Sequence, residues 1–187
     1  MKSNVEENTP LQNKKNLIAD KGWKVKDMIL GLIYGTAILL QIIFIFFLYN
    51  YHDLIIINLL GWSFLVLFLV IGGLPRNEFK KSGGIEKGKS YLKTTRLVTT
   101  GIYGIIRHPY WLSWILLSLS LTLLSQHWIM LFLGISASIL VYIETFLLDK
   151  GLIKKFGDAY ISYMKRVPRL NLIYGLIKKL FMIVHSK

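Results

Sequence analysis

The chain has 187 residues, 53% of them hydrophobic and 18% charged, with a mean hydropathy of +0.49. That is too apolar for an ordinary soluble domain and sized for one compact unit. There is no cysteine, which excludes disulfides, thiolate metal centres, iron–sulfur clusters and a cysteine nucleophile; no metal centre is expected. The formal net charge is +13, but the 23 Lys and Arg residues are sorted into three stretches, six in 1–27, eight in 75–110 and nine in 149–187. Such sorting marks the cytoplasmic flanks of membrane spans and not a nucleic-acid-binding face, so no nucleic-acid partner is expected.

Residues 1–27 are polar, mix Asn, Gln, Lys and Glu, and read as a cytoplasmic tail and not a cleaved signal peptide. Apolar blocks follow from Met28 to Tyr49 and from Leu54 to Leu74. Each has the roughly 20 residues needed to cross the hydrocarbon core. The turn between them, Asn50-Tyr51-His52-Asp53, carries no Lys or Arg and is expected to face outward. Residues 75–107 form a basic, glycine-containing loop that includes Lys80-Lys81-Ser82-Gly83-Gly84.

A third apolar block, Tyr110 to Ser125, is short for a span, and a fourth runs from His127 to Leu148. The turn around Ser125-Gln126-His127-Trp128 again lacks a positive residue. Four spans with both termini inside satisfy every Lys and Arg together. The expected architecture is therefore an all-α integral membrane protein. It comprises a tail (1–27), a two-span hairpin (28–74), a two-span core (75–170) and an amphipathic C-terminal region on the cytoplasmic face (171–187). The plasma membrane is the expected location, on small size alone.

After the fourth span, Leu152, Phe156, Tyr160 and Tyr163 recur at helical spacing. Gly157 is placed to close one short helix and Asp158 to cap the next. Beyond Pro168, Leu172, Ile173, Leu176, Ile177, Leu180 and Phe181 repeat around Lys178 and Lys179. A stretch that short cannot span, so an interfacial helix is expected.

Two features suggest chemistry. The first delivers Arg107 and His108 to the start of the third span, with Pro109 suited to the first helical position. A helix start offers free N–H groups and a positive dipole end, which suits carboxylates and phosphates. Headgroup anchoring is the plainer reading of Arg107. The second is Glu144, deep in the fourth span, with Asp149 five residues later. An acid at a helix centre costs roughly 2.5–3.5 kcal/mol to insert, so Glu144 is expected to face a partner, with Arg107 or His108 as candidates. Asp149, at the end of the span, is equally explained by solvation at the membrane surface.

The run Gly101-x-Tyr103-x-x-x-Arg107-His108-Pro109 is followed by a span pair. After it comes Leu152-x-x-x-Phe156-Gly157-x-x-Tyr160-x-x-Tyr163-x-x-x-Val167-Pro168-Arg169. Together they resemble the isoprenylcysteine carboxyl methyltransferase family, which is similar to the phospholipid N-methyltransferases. The resemblance covers residues 92–170. It implies an S-adenosylmethionine-dependent membrane methyltransferase acting on a lipid or a lipidated small molecule, with the cofactor in a cytoplasm-facing pocket built by the last spans and the tail. Carried over by position, cofactor contacts fall on Thr95, Arg96, Leu97, Val98, Tyr103, His108, Pro109, Tyr110, Trp111 and Asp149, with Arg107, His108 and Glu144 as the expected catalytic set. Tyr103 and Trp111 are expected to pack on the adenine or the sulfonium.

The departures are informative. His is common in the family where Thr95 stands, and Tyr where Trp111 stands. Its paired glutamates fall on Leu148 and Asp149, and an arginine associated with the prenylcysteine carboxylate falls on Glu144. An acid there repels a carboxylate and suits an ammonium. Two other readings are an NADPH-dependent membrane reductase of the sterol-reductase type and a non-catalytic small transporter or assembly protein.

Overall fold

The computed structural model describes residues 10–82 and 96–184, with side chains described from residue 28 onward except residue 183. The described residues are mostly helical, with no strand among them. Helix α1 is Pro10–Leu48, α2 Ile55–Ser82, α3 Pro109–Ser125, α4 Trp128–Phe156, α5 Asp158–Arg166 and α6 Leu172–Val184; a 3-10 turn at Gly101–Gly104 precedes α3. Three helices are long and apolar enough to cross a membrane: α1 from Met28 to Leu48, α2 and α4. Their outward faces are bare hydrocarbon, with Phe46 82% and Phe47 80% exposed, which water would not tolerate and lipid would. α3 is apolar but has 17 residues, about 25 Å of rise against a core of about 30 Å.

α3 lies at the centre, packed against α1, α2 and α4, while α1 also packs on α4. Hydrophobicity alone does not fasten helices in lipid; close packing and hydrogen bonds do. Gln41 of α1 is fully buried and donates through Nε2 to Ser118 O (3.2 Å), Thr122 Oγ1 (3.0 Å) and Met130 O (3.2 Å), while Ser118 Oγ donates to Gln41 Oε1 at 2.7 Å. One amide thus ties α1, α3 and α4. Ser120 Oγ donates to Gly61 O at 2.9 Å and joins α2 to α3.

At one end of the bundle the two hairpin turns interlock. The N–H groups of Asn50 and Tyr51 donate to Leu124 O (2.8 Å) and Ser125 O (2.9 Å), carbonyls that α3 leaves free at its C-terminus. Gln126 caps α3 in the left-handed region (φ 59°), and its side chain accepts from Leu54 N (2.9 Å) and donates to Asn50 Oδ1 (2.7 Å). The turns of 50–53 and 125–127 therefore share a face, as their common lack of Lys and Arg predicts.

The opposite end departs from expectation in two places. α2 continues through Pro75 to Ser82, so part of the expected basic loop is helix. α4 likewise runs on to Phe156 as one helix; the short helix expected before Gly157 is its last turns. Gly157 takes φ 55°, ψ −134°, a conformation open to glycine and costly to other residues, and turns the chain into α5. Asp158 is the first residue of α5, which has no side-chain cap hydrogen bond. α6 forms as the short amphipathic helix expected, with Ile173, Ile177, Leu180 and Phe181 exposed.

Candidate functional site

The start of α3, the C-terminal part of α4, and α5 with the extended segment after it converge on one carboxylate. Asp149, 3% exposed, accepts from His108 Nε2 at 2.8 Å and from Tyr160 Oη at 2.5 Å through Oδ1. Its Oδ2 accepts from Arg169 Nε at 3.0 Å and pairs with Arg169 Nη2 at 2.9 Å and Arg107 Nη2 at 3.5 Å. A carboxylate only accepts, so His108 presents its Nε2–H to Asp149. Of the two readings open for Asp149, its burial removes solvation at the membrane surface: it is the hub.

Backbone pairing locks the same junction. Arg107 N donates to Pro168 O (2.9 Å) and His108 N to Arg169 O (3.2 Å), while Tyr163 Oη donates to Tyr103 O at 2.6 Å. Burial, reinforced by the Asp149 carboxylate, raises the Tyr160 hydroxyl well above the ordinary phenol range, and burial does the same to Tyr163 and Tyr103. All three therefore remain protonated, and Tyr160 and Tyr163 act as donors. The Arg169 guanidinium also lies 3.5 Å from the Phe146 ring centroid, so α4 grips it by charge and by ring face.

Charge and hydrogen bonding at the hub do not balance. Among the described residues, one carboxylate faces two guanidiniums, and Arg107, 9% exposed, keeps Nε and Nη1 buried without a partner. Trp111 Nε1, one turn into α3, is also buried without a partner. These are all donors, gathered where a helix start adds its own positive end. The arrangement suits an anionic group.

Glu144 is not part of this cluster, which corrects the partners expected for it. Five residues along a helix turn a side chain by roughly 140°. Asp149 thus meets α3 and the tail, whereas Glu144 faces α1 near Tyr34. Glu144 is 8% exposed and its Oε2 has no partner.

The other assigned residues divide. Pro109 begins α3 and is fully buried. Trp111 sets its ring edge-on to His108 (5.9 Å between centroids) and to Tyr110 (5.3 Å), beside the hub. Val98 and Tyr103 form a local core with Ile102 and Ile106, and the Tyr103 ring packs edge-on to Phe79 at 5.1 Å. Leu97 packs under Tyr160 and Tyr163, Arg96 is exposed, and Thr95 lies outside the described residues. Tyr160, Tyr163 and Arg169 belong to the site although none was a predicted site residue; their signal was the helical tyrosine spacing and the Val167-Pro168-Arg169 run. Tyr34 had no sequence signal beyond its place in an apolar span.

In sequence and in structure, the chain matches no protein-family model, no curated protein and no solved structure.

If Asp149 is the hub, Asp149→Asn should leave two guanidiniums close together without a counter-charge and cost about 3–5 kcal/mol. Tyr163→Phe, which removes one neutral hydrogen bond, should cost about 1 kcal/mol. Thermal unfolding of both purified variants in detergent checks this; equal, small effects would show that the cluster contributes little to the fold.

Proposed function

We propose that this chain is an S-adenosylmethionine-dependent membrane methyltransferase acting on a lipidic acceptor, with the cofactor at the Asp149 junction. One observation carries the reading: the two sequence segments that resemble the isoprenylcysteine carboxyl methyltransferases close on each other around Asp149 and leave buried donors unspent beside it. Arg107 Nε and Nη1 and Trp111 Nε1 are the groups that would hold the methionine carboxylate. When bound, the cofactor supplies a methyl group already activated on a sulfonium, so the protein's task is chiefly to position the acceptor in line and exclude water. His108, fixed by Asp149, and Trp111, fixed edge-on to His108, form the wall of that site. No nucleophilic side chain is required.

The same proposal extends to topology: four spans, with both termini and the Asp149 junction in the cytoplasm. The charge distribution supports it, since both turns at the opposite end lack Lys and Arg and positive residues collect inside. α3 reaches across by tilt or local thinning of the bilayer.

Two measurements test these readings. In calorimetric titration of purified protein, S-adenosylmethionine should bind and NADPH should not. Arg107→Lys, which keeps the charge but loses the planar fork, and His108→Ala should each weaken binding about tenfold or more. Unchanged affinity in both variants would place the cofactor elsewhere, and binding of NADPH alone would favour a reductase. For topology, single cysteines at Asn50 and Gln126 should label from outside intact cells and those at Ser3 and Ser186 should not; labelling of Ser186 would overturn the four-span arrangement.

A further inference from the structure

Helix α6 is amphipathic the wrong way round for a helix packed on a protein in water. Leu172, Gly175 and Lys179, at i, i+3 and i+7, form the stripe that meets the rest of the molecule. Leu172 packs on the cluster of Val98, Ile102, Tyr103 and Ile106. Gly175 is buried so close to Ile105 that any Cβ would clash with its carbonyl. Lys179 Nζ donates to Gly101 O at 3.5 Å, and Lys178 Nζ to Lys165 O at 3.3 Å. The opposite stripe, Ile173, Ile177, Leu180 and Val184, recurs at i, i+4, i+7 and i+11 and is 55–72% exposed. Packing thus turns the lysines toward the protein and leaves the hydrocarbon bare, an arrangement that water disfavours and lipid does not.

We propose that this apolar stripe is seated in the surface of the bilayer, and that four neighbouring cations, Lys165, Arg166, Lys178 and Lys179, bind anionic phospholipid headgroups. The inference needs the membrane-spanning helices but not the methyltransferase reading. Position supports it first. α6 rests on Ile105, four residues before Pro109 begins α3, so it lies near the end of an apolar helix. Length is the second support. Thirteen residues extend about 20 Å, too short to cross the hydrocarbon core but suited to lying along its edge.

Charge complementarity selects the headgroup. The reach of Lys178 to the Lys165 carbonyl gathers the four cations where α5 ends and α6 passes. Among the described residues, none of the four pairs with a carboxylate. Glu78, which abuts Gly101, is engaged by Thr100 Oγ1 at 3.1 Å. Residues 149–187 carry nine Lys and Arg against two Asp, and one of those, Asp149, is taken by Arg107 and Arg169. A second copy of the chain on this stripe would set the same cations against each other, whereas an anionic lipid surface neutralises them. Each lysine ammonium has three N–H donors and meets one carbonyl here, which leaves donors for phosphate oxygens.

The test places the full chain in lipid nanodiscs with a nitrobenzoxadiazole fluorophore on Ile177→Cys, the sole cysteine in a chain that has none. Lipids carrying a nitroxide close to the headgroup should quench the fluorophore, and aqueous iodide should not. At equal mole fraction, labelled phosphatidylglycerol should quench about fivefold more effectively than labelled phosphatidylcholine, roughly the effect of one basic residue at an anionic surface. Replacing Lys165, Arg166, Lys178 and Lys179 by Gln should remove that preference. Quenching by phosphatidylcholine should persist in this variant, which shows the helix still seated. Quenching by iodide would put the stripe in water, and quenching by neither agent would put it against protein; either result overturns the inference. Equal quenching by the two lipids before the four replacements, or an undiminished preference after them, would overturn the assignment of the cations to anionic headgroups.

Discussion

Asp149 organises the end of this protein where α3 begins and α4 ends. A carboxylate with only 3% exposure is costly to bury unless it is paired and hydrogen-bonded, and here four side chains supply that pairing. They come from three stretches: Arg107 and His108 from the start of α3, Tyr160 from α5, and Arg169 from the segment before α6. The acid on α4 thus draws together pieces of chain that two small apolar clusters also hold. The two backbone hydrogen bonds from Arg107 and His108 to Pro168 and Arg169 follow from that convergence, since they bring the two segments side by side. Gly157 makes the geometry attainable by letting α5 fold back under the end of α4.

Inside the bilayer a different polar group does the same job. Gln41 binds three acceptors on α3 and α4, and Gln126 knits the two turns at the far end. The bundle is therefore fastened at three depths by satisfied polar groups while its outer surface stays apolar. Among the described residues, the buried side-chain atoms left without a partner are those of Arg107, Trp111 and Glu144, with Ser138 Oγ on α4; the charged ones lie at two separate places. Donors gather at one and an acceptor at the other.

Much of the fold was legible in the sequence. The four apolar blocks, the two turns without positive charge and the amphipathic end helix all follow from hydropathy and from the sorting of Lys and Arg. The third block's shortness was legible too. Less visible was continuity: α2 passes through Pro75 and α4 passes Leu148 without a break, because neighbouring packing overrides the local signals that suggested an end. The site was half legible. Arg107 and His108 sit where their spacing placed them, yet for Asp149 solvation and function stayed evenly matched, because sequence shows an acid at a span's end without the tail that folds over it. Glu144 was given the wrong partners for a related reason. Both acids lie near one another in sequence, but five residues on a helix point them to different neighbours, and only the positions of α1 and α3 decide which. Tyr160, Tyr163 and Arg169 were visible as a pattern and not as ligands of one carboxylate.

The proposal that the Asp149 junction is an anion site for the amino-acid end of S-adenosylmethionine has its most direct test in two related ligands. S-adenosylhomocysteine and 5′-methylthioadenosine share the adenine, the ribose and a thioether, but only the former has the amino-acid carboxylate. Thermal unfolding of the purified protein should shift upward with S-adenosylhomocysteine and not with methylthioadenosine, because a ligand that binds only the folded state stabilises it. The shift should vanish in Arg107→Lys. Equal stabilisation by both ligands, or by neither, would contradict an anion site at Asp149, Arg107 and Trp111.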